Sequence, residues 1–157
     1  PEAPRKPYRG VPLVERDEGT RHRLALLGDV VDRRLEGLWR ELCALPPWAG
    51  PSLWLHGDPH PGNLLVGEEG ALCAVLDFGD VTSGDPAADL MAGFAFLPAG
   101  PRRVFREASG RADDVAWERA RGWALSLGLA YLEASDDSPS FAALARATLE
   151  RVLDPRL

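Results

Sequence analysis

The chain predicts an α+β fold, mostly helical, with one small β-hairpin near its middle. Three observations carry that expectation. Leucine and valine recur at steps of three and four over residues 24–45, the spacing of one helical face. Short apolar runs at 52–55, 64–66 and 71–76 read as strands, the last two joined by the Gly-bounded turn Gly67-Glu68-Glu69-Gly70. From Gly84 onward, cap and proline signals open one helical pattern after another.

Residues 1–19 hold Pro1, Pro4, Pro7 and Pro12 among many charges and read as an extended or partly ordered lead-in. A single helix is predicted from Thr20 to Leu45, its stripe formed by Leu24, Leu27, Val31, Leu35, Leu38, Leu42 and Leu45 and its end set by Pro46-Pro47. Arg21, His22 and Arg23 would place positive charge at the positive end of that helix dipole, so the first turn is expected to lie elsewhere. Asp85 as N-cap and Pro86 at the first helical position open a helix to about Leu97, closed by Pro98. A short helix follows over 101–109. A long one is capped by Asp113 or Asp114 and runs to about Ala134, apolar nearly all round from Trp123 to Leu132. A last helix runs from about Ser138 to Leu153. Trp123 is expected in the core; Trp117 and Tyr131 are core or pocket residues. Cys43 and Cys73 are expected to be buried, reduced thiols, which with the missing apolar leader points to a cytoplasmic protein.

Charge is unevenly placed. Residues 1–50 carry nine basic and eight acidic side chains, and residues 101–157 nine of each. Residues 51–100 carry seven acids and neither Lys nor Arg. Carboxylates so concentrated call for cation partners. No basic patch points to nucleic acid, and no apolar run is long enough for a bilayer.

The chemistry concentrates between Trp54 and Gly79. His56-Gly57-Asp58-Pro59-His60-Pro61-Gly62-Asn63 is a loop stiffened by prolines, and Asp77-Phe78-Gly79 ends the second hairpin strand. The hairpin returns the chain so that Asp77 lies near Asn63. Asn63 carries the sequence's one side-chain amide, since glutamine is absent. Asp58, Asn63 and Asp77 offer hard oxygen donors that suit Mg²⁺, with one acid left to accept a proton.

This pattern resembles the catalytic and metal loops of the protein-kinase-like fold, and His56-Gly57-Asp58 with Gly84-Asp85-Pro86-Ala87-Ala88-Asp89-Leu90 is similar to its aminoglycoside phosphotransferase and choline kinase branch. The likeness is specific over about residues 52–90. It implies that Asp58 is the catalytic acid/base, that Asn63 and Asp77 bind Mg²⁺ and with it ATP, and that His56 braces the loop. His60 lies near the transferred phosphate, either as a structural group or as a polar contact. For Asp89 it implies a buried acid that hydrogen-bonds the catalytic-loop backbone; a charge favourable to a helix N-terminus is the alternative. The acceptor would be a hydroxyl on an aminoglycoside-like or other small molecule, with the acidic middle favouring a cationic one and Asp136 and Asp137 as candidate contacts.

By the same resemblance these residues are a C-terminal lobe: catalytic and metal loops at 54–80, acceptor-side helices at 86–157, and no N-terminal nucleotide lobe. No Gly-rich strand pair lies in residues 1–50, and Lys6, the sole lysine, is a poor phosphate lysine. The lobe alone should be inactive, and should self-associate through apolar surface near Trp54 and Leu64 to Val66. Three other readings compete. One is a metal-dependent hydrolase built on His56, Asp58 and His60; another is a non-catalytic binding module. The third, a protein kinase, is disfavoured by Gly57 and by the lack of an Ala-Pro-Glu segment.

Overall fold

A computed structural model describes residues 4–110 and 113–154. Helix α6 (Asp114–Glu133) is the axis of the molecule, and its packing follows from its sequence. Ala116, Ala120 and Ala124 lie on it with Trp123, Leu125 and Leu129, all fully enclosed. Small residues let neighbours approach closely: a Cβ on Gly122 would meet Leu13, and one on Gly128 would meet Leu149. Asp113 caps the helix by accepting the amide of Ala116 at 2.7 Å. Antiparallel to α6 lies α7 (Pro139–Leu153), and α1 (Asp17–Leu27), α2 (Arg34–Cys43), α3 (Ala87–Leu90) and α4 (Ala92–Phe96) pack around the same axis. The amphipathic α5 (Ala99–Ser109) joins α4 to this body. Among the described residues no helix is long and apolar enough to cross a membrane.

Two two-stranded antiparallel sheets carry the loops. Strand β1 (Leu53–Leu55) pairs with β4 (Thr82–Gly84), and β2 (Leu64–Val66) with β3 (Leu72–Val75). The predicted hairpin is therefore present, with a register shift between Leu65 and Val66. Strand β1 was expected from the run at 52–55; β4 and its pairing escaped the sequence reading, because the three residues of β4 are too few to display a period.

Four expectations need correction. The single helix over 20–45 is two helices. Gly28 adopts φ +47° and ends α1, a 3₁₀ turn covers Gly28–Val30, and Asp32 restarts the helix by accepting the amide of Arg34 at 2.8 Å. The first turn of α1 begins at Asp17 and Glu18, acids at the positive end of the dipole. Second, the lead-in over residues 1–19, expected to be extended or partly ordered, is helical from Leu13, with a 3₁₀ turn at Leu13–Arg16 before α1, and its earlier part is docked from Pro4 onward. Lys6 N–H donates to Thr82 Oγ1 at 3.0 Å, and the amide of Asp85 donates to Gly10 O at 2.9 Å. Gly10 (φ +68°) and Gly84 are required there because a Cβ on Gly84 would collide with the Gly10 carbonyl. Third, Cys73 is exposed and Cys43 half-buried; both are free thiols. Fourth, the helix from Pro86 is pinched at Met91, which divides α3 from α4.

Apolar side chains are exposed on both sheets. Trp54, Leu65, Val66, Leu72, Leu76 and Phe78 are all exposed, and all belong to the two sheets or the turns that follow them.

Candidate active site

Gly57 is where the loop's shape is decided. It sits at φ +87°, and a Cβ there would run into the backbone carbonyl of Asp80. A residue with no side chain thus lets the loop after β1 close against the turn after β3. Asp89, from the first turn of α3, braces the loop from behind. Its Oδ2 accepts the amide of His56 at 2.7 Å and its Oδ1 that of Gly57 at 2.9 Å. Burial pushes the Asp89 carboxyl up, opposed by the two backbone donors, Gly57 first and then His56.

Both ring nitrogens of His56 are engaged with backbone. Nδ1 accepts the amide of Asp58 at 3.3 Å, so Nε2 carries the proton and donates to Leu76 O at 2.8 Å. Phe78 packs edge-on against the same ring at 5.0 Å. The Leu76 amide donates to Asn63 O at 2.8 Å. The His-Gly-Asp loop and the Asp-Phe-Gly turn are therefore stitched together by two hydrogen bonds, both on the residue before Asp77. Asp77 takes the left-handed conformation (φ 53°), and its Oδ1 accepts the Gly79 amide at 3.1 Å, which fixes the turn and leaves the exposed carboxylate outside it.

Asn63 is buried, and its Nδ2 donates to Asp58 O at 3.0 Å. That bond fixes the amide's orientation and leaves Oδ1 as the end able to ligate. A buried amide oxygen and an exposed carboxylate, on two loops joined through Leu76, are hard donors of the kind that suits Mg²⁺, which takes one or two protein carboxylates and fills its remaining positions with phosphate oxygens and water. Among the described residues no three His, Cys, Asp or Glu side chains converge on one point.

The Asp58 side chain is surrounded on three sides. Tyr131, from α6, donates its hydroxyl to Oδ1 at 2.9 Å; Arg9 Nη2 lies 3.5 Å from the same oxygen; His60 Nε2 lies 3.7 Å from Oδ2. His60 Nδ1 accepts the Gly62 amide at 3.0 Å, so its proton too is on Nε2, facing Asp58. Burial, then the charge of Asp58, pushes the Tyr131 phenol well above its ordinary range, so it stays a donor. His60, Tyr131 and Phe141 form an aromatic corner with ring separations of 5.2–6.1 Å. Trp123 is in the core, and Trp117 packs on Phe94 and Phe105.

The acidic middle has protein partners. Lys6 Nζ holds Asp80 Oδ1 at 2.6 Å and also contacts Gly79 O, while Arg9 holds Asp80 Oδ2 through Nε at 2.9 Å. Arg119 pairs with Asp85 at 2.7 Å, both buried. Sequence reasoning missed Lys6 and Arg9 as parts of this region. The signal was present: seven acids without a local base require cations from elsewhere in the chain. The hydrogen bond from Lys6, with a smaller contribution from Arg9, holds the Asp80 carboxyl below its ordinary value, against the opposing effect of burial. An acid lowered on folding contributes stability above its unfolded pKa of about 3.8 and loses it as pH falls through the folded value. Lys6→Ala should therefore flatten the acid limb of a melting-temperature profile below about pH 4. A variant profile parallel to that of the wild type would refute this.

A helical α+β body bearing two such loops is a protein-kinase-like arrangement, and solved structures of that kind are similar to it. A macrolide 2'-phosphotransferase type I is 20% identical with a TM-score of 0.53, over 89% of this chain and 49% of that one. The macrolide 2'-phosphotransferase MphH from Brachybacterium faecium, as apoenzyme, is 25% identical with a TM-score of 0.53, over 91% of this chain and 50% of that one. The chain thus spans about half the length of these structures. Residues 3–123 match the model of the phosphotransferase enzyme family (APH), and the chain belongs to that family. No curated protein sequence matches it.

Proposed function

We propose that this chain is the catalytic, C-terminal lobe of an ATP-dependent phosphotransferase that moves the γ-phosphate to a hydroxyl of a small-molecule acceptor. The observation that carries the reading is the double stitch through Leu76, which draws Asp58, Asn63 and Asp77 onto two mutually fixed loops. Asn63 and Asp77 would hold Mg²⁺, which when bound neutralises charge on the nucleotide phosphates. Asp58 accepts the acceptor's hydroxyl proton. Asp89 keeps the loop in shape, and His60 with Tyr131 and Phe141 forms the wall that the acceptor meets. His56, with both nitrogens on backbone, braces the loop and has none left for a metal, which disfavours the hydrolase reading.

The acceptor is an alcohol on an amino sugar or a comparable metabolite. The names of the two similar structures put the macrolide 2'-hydroxyl first in a screen, with aminoglycosides beside it. A cationic acceptor would meet Asp136 and Asp137, exposed just ahead of α7, because Asp80 and Asp85 are already neutralised from within the chain. The exposed apolar side chains on the two sheets, Trp54, Leu65 and Phe78 among them, are covered by the nucleotide-binding lobe in the longer protein on this reading, and drive self-association without it. On its own the chain is then a kinase-shaped module that binds Mg·ATP weakly and turns over little. Two free thiols and the proposed use of ATP support a cytoplasmic location.

The test is transfer of labelled phosphate from Mg·ATP to a macrolide and aminoglycoside panel by the full-length protein. Transfer to at least one hydroxyl is expected. ATP-independent hydrolysis, or submillimolar ATP affinity of this chain alone, would count against the reading.

A further inference from the structure

Between the loop after β1 and the turn after β3 there is a third link, made by neither of them. Arg9 has only 14% of its side chain exposed. Its Nε and Nη2 close on Asp80 Oδ2 at 2.9 and 2.8 Å, and the same Nη2 reaches Asp58 Oδ1 at 3.5 Å. The segment bearing it is anchored on both sides. Lys6 and Arg9 face each other across a tight bridge, the Lys6 amide and the Gly10 carbonyl bond to residues on or beside β4, and Arg16 donates to Tyr8 O at 2.8 Å while stacked on Trp123. Arg9 is thus a preorganised fork between two carboxylates on two different loops. A planar guanidinium suits such a span, whereas an ammonium is a point charge that serves one carboxylate at a time. The same Oδ1 that forms this ion pair accepts a hydrogen bond from the Tyr131 hydroxyl.

We propose that Arg9 is a positioning residue: it fixes the rotamer of Asp58 and locks it in register with the Asp77–Asp80 turn through Asp80. The proposal rests on the phosphotransferase reading for its consequence, but its geometry can be tested separately. With Oδ1 held by Arg9 and Tyr131, Oδ2 is the oxygen left for the acceptor's hydroxyl proton. Arg9 itself touches neither substrate nor transferred group.

The first arm is amide hydrogen exchange on this chain. Arg9→Ala should raise exchange at residues 56–63 and at 77–81 together, while amides of α6 keep their protection. Asp80→Asn should do the same, and the double variant should be no worse than either single one, as expected for two members of one link. The second arm is Mg·ATP turnover by the full-length protein. Arg9→Ala should lower kcat about 100-fold, the scale of a small misplacement of a reacting group, with little change in KM for ATP. Added guanidinium should restore much of the loss, and Arg9→Lys should not. Exchange that rises in α6 as well, or at only one of the two loops, overturns the proposal. So does an unchanged kcat, or a loss that guanidinium leaves untouched. If Asp58→Asn also leaves turnover intact, the phosphotransferase reading has failed instead, and the exchange arm alone decides whether Arg9 couples the loops.

Discussion

Asp58→Asn should reduce phosphoryl transfer about 10²- to 10⁴-fold, the range spanned by removal of a positioned general acid/base. The substitution keeps the shape of the side chain. Its remaining oxygen can still accept from Tyr131 and face Arg9, while the new amide nitrogen replaces Oδ2 on the side of His60. The melting temperature should accordingly move little. Activity and thermal unfolding measured on the same preparation separate loss of chemistry from loss of fold. A variant that retains transfer within threefold would remove Asp58 from the mechanism, and with it the assignment of the whole loop.

The largest stability effect is expected at Arg119. Arg119 and Asp85 are 5% and 3% exposed and pair through two hydrogen bonds of 2.7 and 3.4 Å. Arg119→Met would leave a buried carboxylate whose one remaining hydrogen-bond donor among the described residues is the Ala87 amide. Removing one member of a buried pair costs about 3–5 kcal/mol, a large part of the 5–15 kcal/mol typical of a domain. The damage should also reach the loop, because Asp85 sets the start of α3, and α3 presents Asp89 to His56 and Gly57. The double variant Asp85→Leu/Arg119→Met should recover part of the loss, since no uncompensated charge then remains. Urea unfolding of the three variants tests this, and a single variant costing under about 1 kcal/mol would show the pair to be dispensable.

The sequence made the later helices and the central hairpin legible because their signals are local: Asp113 and Ser138 ahead of apolar periodicity, Pro98 after it, and a Gly-bounded turn between two apolar runs. The break at Gly28 was also signalled, by a glycine followed by an Asp four residues on. It was masked by a stripe whose step of three to four continues across a 3₁₀ turn. The β1–β4 pairing, the docking of Lys6 and Arg9 on Asp80, and the Tyr131–Asp58 bond were not legible. Each joins residues from 27 to more than 70 positions apart and depends on how several helices pack first. The carboxylates of the site could be picked out one by one; the groups that hold them could not.

The aromatic corner of His60, Tyr131 and Phe141 divides its parts between two regions of the chain. His60 belongs to the loop, but Tyr131 and Phe141 lie on α6 and α7, beyond the last residue matched by the family model at 123. Tyr131 also hydrogen-bonds Asp58 Oδ1, whereas Phe141 touches only the rings of His60 and Tyr131 among the contacts of this corner. On the proposed function, substitutions confined to α7 retune which alcohol is accepted and spare the loops, while a change at Tyr131 also loosens the hold on Asp58.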